Sequence, residues 1–112
     1  MKRVAYLAIG WGWAATIVWL SLTPSPPQVD VPYSDKIGHL ASYAVLMFWF
    51  SQLYRTRIFY AAGFILMGVA LEFVQGQLGY RGFEVADMLA NALGVLAGWA
   101  AAVILRRAFP LF

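Results

Sequence analysis

MLANALGVLAGWAAAVIL, residues 88–105, carries a single polar side chain, Asn91, and its reading decides the fold. A helix rises about 1.5 Å per residue, so this run is roughly 27 Å long, close to the ~30 Å hydrocarbon core of a bilayer. Working outward, three more runs have the same character: Val4 to Leu22, Ile37 to Tyr54 and Ile58 to Val74. Laid out as spanning helices, they leave little of the 112 residues outside. The sequence therefore predicts an all-α membrane protein, a compact antiparallel four-transmembrane-helix bundle forming a single domain over residues 1–112. A composition of 62% hydrophobic and 12% charged residues agrees with that class. The first run reads as an uncleaved anchor, because Ser21-Leu22-Thr23-Pro24 is no clear small-residue cleavage site.

Orientation follows from the basic residues. With the N-terminus inside, Lys2, Arg3, Arg55, Arg57, Arg106 and Arg107 are cytoplasmic and only Lys36 and Arg81 are outside, which places both termini in the cytoplasm. The net charge of +3 is thus a matter of topology, since the basic residues sit in pairs at helix ends and form no nucleic-acid face. The absence of cysteine removes thiol nucleophiles and thiolate metal sites. Arg55-Thr56-Arg57 is a tight inner turn, so the second and third helices are expected to be antiparallel neighbours. The first outer segment, residues 23–32, holds Pro24, Pro26, Pro27 and Pro32 and is expected to run as extended polyproline II. The second, Gln75 to Phe83, has Gly76, Gly79 and Gly82, which allow a tight or re-entrant backbone or an ordinary flexible loop.

This layout puts every acidic residue (Asp30, Asp35, Glu72, Glu84, Asp87) and the single histidine, His39, on the outer side. His39 follows Asp35 by four residues, one turn deeper, with Ser42 and Tyr43 a turn below. A carboxylate so placed orients the tautomer of an imidazole for proton transfer; alternatively Asp35 answers the helix dipole and His39 is a packing residue. Glu72 lies about 21 Å along the third helix from Ile58, at a depth matching His39, with Gln75 on its face. A carboxylate there is expensive unless paired, protonated or hydrated, which marks it as functional or as an interhelical hydrogen-bonding group. The fourth helix brings Asp87 and, one turn deeper, Asn91 to the same end, and Arg81 is the cation best able to reach them. Gly94 and Gly98 form a GxxxG element for close helix packing, within one chain or between two copies as a homo-oligomer contact.

These residues also resemble a known family. DKIGHLASY (35–43), EFVQ (72–75) and Arg81 followed by Asp87, Asn91 and Gly94 look like the signature blocks of the VanZ-like family of small bacterial membrane proteins, in order and across nearly the whole chain. The resemblance implies the bacterial cytoplasmic (inner) membrane and an association with resistance to the glycopeptide teicoplanin, a drug class acting on envelope precursors outside that membrane.

Two functions fit. In the first, an outward-facing pocket recognises an envelope lipid, a lipid-linked precursor or a lipid-tailed antibiotic, with Lys36 and Arg81 on an anionic headgroup and Tyr43, Gln75 and Asn91 supplying neutral contacts. In the second, a membrane enzyme acts on such a headgroup, with His39 as base or nucleophile oriented by Asp35, Glu72 and Asp87 as carboxyl groups and Arg81 as clamp. His39, Glu72 and Asp87 have metal-donor chemistry but no compact ligand motif, so neither metal nor cofactor is expected. A Ser42–His39–Asp35 triad on one helix lacks an oxyanion hole, and four short helices without ionisable groups in their inner halves offer no pore. The orientation has a direct check, because the chain has no cysteine of its own. On intact cells an impermeant maleimide should label a Ser25→Cys variant and spare Thr56→Cys; the reverse pattern inverts the topology.

Overall fold

The computed structural model describes residues 2–23, 34–78 and 84–108, with the side chains of 34, 35 and 106–108 outside that description. Four helices make up nearly all of it: α1 (Lys2–Leu22), α2 (Ser34–Leu53), α3 (Arg57–Gln77) and α4 (Val85–Ala108). The four apolar runs each became one helix, and the polar flanks joined them. Helix α2 begins three residues before Ile37, α3 continues through Gln75, Gly76 and Gln77, and α4 takes in Asp87 in its first turn. Gln75 and Gln77, expected in the outer loop, are therefore helical. The polyproline stretch and the remaining glycine loop with Arg81 lie outside the described residues.

Successive helices alternate in direction, as the short α2–α3 turn requires. The closest packing is nevertheless between α2 and α4, which are not consecutive and run the same way. The GxxxG element causes it. A Cβ on Gly94 would strike the Leu40 carbonyl oxygen and stand 3.1 Å from its Cα, and one on Gly98 would strike the Ala44 carbonyl oxygen and stand 3.0 Å from the Phe48 nitrogen. With no side chain at either position, the α4 backbone lies directly on α2, so both glycine faces are taken up within the chain. Helix α3 lies beside α4 through Gly68, where a Cβ would come within 2.9 Å of the Asn91 amide nitrogen.

Helix α1 crosses α2 in the opposite sense, Trp13 donating its indole N–H to the Ser42 carbonyl at 3.0 Å and Trp49 to the Tyr6 carbonyl at 2.7 Å. Among the described residues α1 meets α2 and α3 but not α4. Helix α2 is thus the central element. It supplies Tyr43, Leu46, Met47 and Phe50 to a core completed by Ala14, Ile17, Ala61, Phe64 and Val95. The outward faces are apolar too: Trp19, Phe59, Leu66, Leu93 and Ile104 are all exposed. Exposed apolar surface on this scale is costly in water and suits lipid. Helices α1, α3 and residues 85–105 of α4 are long and apolar enough to cross a membrane. Helix α2 carries Asp35, Lys36 and His39 in its first turns and packs against all three other helices.

Because a Cβ at Gly94 meets backbone, Gly94→Ala should destabilise the protein by about 1–3 kcal/mol, the scale of overpacking. Gly63→Ala, with nothing within 4 Å of its Cβ, should be neutral or slightly stabilising. Thermal unfolding in detergent followed by circular dichroism compares them, and equal melting temperatures would contradict the close α2–α4 contact.

Candidate functional site

The N-termini of α2 and α4 and the C-terminus of α3 meet at one end of the bundle. Their register is fixed by the glycine contacts, and it sets Lys36 and His39 of α2 against Asp87 and Asn91 of α4. His39 Nδ1 donates to the Asn91 side-chain oxygen at 2.8 Å. The other ring nitrogen, Nε2, faces Asp87 Oδ2 at 3.8 Å, beyond hydrogen-bond reach. Lys36 reaches the other Asp87 oxygen at 2.6 Å and also pairs with the Glu84 carboxylate. Its ammonium is thus held between two carboxylates, one nearly buried and one on the surface: the Asp87 side chain is 10% exposed and that of Glu84 53%.

Helix α3 contributes differently. Glu72 is 1% exposed and accepts the backbone N–H of Glu84 at 2.6 Å. Glu84 directly precedes α4, and Asp87 N–H bonds its carbonyl at 3.1 Å, so Glu72 caps the start of α4 from a neighbouring helix. The first N–H groups of a helix have no partner within it, and the helix dipole adds a favourable field for a carboxylate. Gln75, 2% exposed, does the complementary task at the next turn by donating to the Ser21 carbonyl at 2.6 Å. That carbonyl is among the last four of α1, which likewise lack intrahelical donors. The spacing Glu72-x-x-Gln75 therefore clamps the ends of two helices with one face of a third.

Of the residues singled out in the sequence, Lys36, His39, Glu72, Gln75, Asp87 and Asn91 come together at this end. Asn91, 3% exposed, is the centre of the group, bonded to His39 on α2 and packed on Gly68 of α3. Tyr43 is buried in the core one turn below His39. The backbone of Asp35 is in the first turn of α2 and its side chain is outside the description, as is all of Arg81. The described carboxylate facing His39 is Asp87. Ser42 donates its hydroxyl back to the Gly38 carbonyl at 2.6 Å, an intrahelical bond that takes it away from His39. Among the described residues no group of three His, Asp or Glu side chains is placed to hold a metal ion.

Glu84 and Ser21 are the participants that sequence reasoning missed. Glu84 stands three residues before Asp87, a spacing that puts both at the entrance of one helix, and that was the available signal. Its pairing with Lys36 across 48 residues depends on the α2–α4 register. Chemically the group offers an imidazole nitrogen at His39 Nε2, an ammonium at Lys36 and carboxylates on Asp87 and Glu84, all at the rim of an apolar bundle.

A family model described as VanZ/LLP1 matches residues 13–106, a span containing all four helices' site residues. No curated protein and no solved structure matches the chain.

The capping geometry separates shape from charge at Glu72. Glu72→Gln keeps an oxygen for the Glu84 N–H and should unfold within about 1 kcal/mol of the native protein, whereas Glu72→Leu should lose about 1–2 kcal/mol by stranding that donor. If thermal unfolding finds the leucine variant as stable as the glutamine one, Glu72 is not holding α4.

Proposed function

The chain belongs to the VanZ/LLP1 family, and from that and the geometry of its polar end we propose that it is a multi-pass protein of the bacterial cytoplasmic membrane whose outward-facing pocket recognises the headgroup of an amphiphile. All four helices cross the membrane, both termini are cytoplasmic, and the ligand enters from the outer leaflet. Envelope lipids, lipid-linked precursors and lipid-tailed antibiotics of the teicoplanin type have the required chemistry: a polar head beside an apolar tail. Capture of such a drug or of its target is the route by which this site contributes to glycopeptide resistance.

One observation carries the reading: the paired group Lys36, His39, Asp87 and Asn91 is gathered at one rim of a bundle whose outward faces are apolar. Recognition is favoured over catalysis by the employment of the buried side chains. An acid–base enzyme needs a carboxyl group free to exchange protons with substrate, and Glu72 is occupied by the Glu84 N–H. The one feature favouring a lipid-headgroup enzyme is the approach of His39 Nε2 to Asp87 Oδ2 at 3.8 Å, a pair that would have to act without Glu72.

Lys36 is the cation for an anionic headgroup, and Glu84 is the group such a ligand displaces. Arg81, the second cation expected for the headgroup, lies outside the described residues. Removing the competitor should therefore help: Glu84→Gln should tighten an anionic amphiphile roughly two- to fivefold, the scale of a partly exposed ion pair, while Asn91→Ala and Arg81→Ala weaken it. Native mass spectrometry from lipid nanodiscs reads the retained species directly. Weaker retention by Glu84→Gln would reverse the sign of the headgroup charge, and no retained species in the folded wild type would sink the proposal.

A further inference from the structure

The opposite end of the bundle is built around the C-terminus of α2, whose last carbonyls have no donors within the helix. Two arginines from other elements supply them. Arg3 of α1 donates through Nη2 to the Leu53 carbonyl at 3.0 Å, and Arg57 of α3 donates through Nε to the Ser51 carbonyl at 3.1 Å. Arg55 stands in the turn between α2 and α3, exposed. The guanidinium of Arg3 also lies 4.8 Å above the centre of the Tyr54 ring, which stacks on Tyr60 at 4.9 Å. Tyr60 stacks in turn on buried Phe50 at 5.5 Å. Arg3 and Arg57 are therefore each held by a backbone carbonyl, and Arg3 also by the Tyr54 ring.

What they lack is a counter-charge. Among the described residues every carboxylate side chain, Glu72, Glu84 and Asp87, is at the other end of the molecule. Each arginine has five N–H donors, and the carbonyl bonds of Arg3 and Arg57 use one apiece. Beside them the surface is apolar: Val4 adjoins Arg3, and Ile58 and Phe59 adjoin Arg57, all three exposed. Fixed guanidiniums without carboxylates, bordered by outward apolar side chains, match a group that is anionic at its head and hydrocarbon beyond it.

We infer that the end of the bundle formed by the α2 C-terminus is a binding site for an anionic phospholipid, its phosphate seated on Arg3, Arg55 and Arg57 and its acyl chains against Val4, Ile58 and Phe59. Guanidinium forks suit phosphate oxygens, and juxtamembrane basic residues draw anionic lipids from the adjoining leaflet. The site is independent of the pocket at the other end, and either stands without the other.

The test uses the purified full chain in nanodiscs of phosphatidylcholine with a minor fraction of phosphatidylglycerol, the lipid retained after detergent exchange being measured by mass spectrometry. Wild type should retain phosphatidylglycerol well above its share of the bilayer. Arg55→Gln, which removes no carbonyl bond among the described residues, should reduce that enrichment about fivefold at unchanged melting temperature. The Arg3→Gln, Arg57→Gln double variant should reduce it further; Arg55→Gln keeps the test decisive if the double variant fails to fold. Wild-type lipid at the bulk ratio, or undiminished enrichment in folded Arg55→Gln, overturns the site. Inorganic phosphate that stabilises the protein as well as phosphatidylglycerol does, and displaces it, would make this a free-anion site and overturn the lipid.

Discussion

Backbone contact between α2 and α4 is the constraint on which the rest of the molecule depends. Gly94 lies on the Leu40 carbonyl and Gly98 on the Ala44 carbonyl, one turn apart on each helix, so the two helices advance together without slipping. That register decides which polar groups face one another several residues away. It puts Asn91 opposite His39 and Asp87 opposite Lys36, and a slip of one turn would separate both pairs. In a membrane, where helices gain no hydrophobic energy by leaving lipid for one another, close van der Waals contact of this kind is the available source of register. The glycines thus do for the polar end what a rigid scaffold does for a soluble active site.

A second constraint comes from the helix ends. Four backbone groups at each terminus have no intrahelical partner, and any that is buried is costly to leave unpaired. Helices here finish one another. Glu72 serves α4, Gln75 serves α1, and Arg3 and Arg57 serve α2. Residues that look extravagant in an apolar run, above all a buried glutamate, are explained by this exchange before any chemistry is invoked. Those left over at the rim, Lys36, His39, Asp87 and Glu84, pair side chain with side chain and are the ones a ligand can rearrange.

Much of this was legible in the sequence, because long apolar runs, proline and paired basic residues act locally. The four helices, their alternation and the gathering of His39, Glu72, Gln75, Asp87 and Asn91 at one end all follow from spacing along single helices. The helix boundaries were read too narrowly, since apolar runs mark the part of a helix that touches lipid and not where its hydrogen bonds stop. Gln75 was placed in a loop for that reason. The α2–α4 pairing was not legible from turn length, which predicts sequential neighbours. Gly94 and Gly98 signalled a close contact without naming its partner, and with the partner unknown the Lys36–Glu84 bridge and the role of Glu84 stayed out of sight.

The two ends of the bundle solve electrostatics in opposite ways, and this bears on how each meets a ligand. At the α4 N-terminus the polar groups already have partners: two carboxylates hold one ammonium, Glu72 takes the Glu84 backbone N–H, and His39 is held by Asn91. A ligand of the proposed kind would have to displace an existing partner there, so much of its interaction would be cancelled by the bond it breaks, and discrimination between headgroups would outweigh affinity. At the α2 C-terminus the guanidiniums of Arg3 and Arg57 are oriented by carbonyls and face no carboxylate among the described residues, so on the proposed reading an arriving phosphate would complete the arrangement. Binding of that kind would be sensitive to charge and tolerant of headgroup identity. A selective rim on one side and a permissive anchor on the other would hold the bundle at a fixed depth, with its ion-paired mouth level with the headgroups of the opposite leaflet.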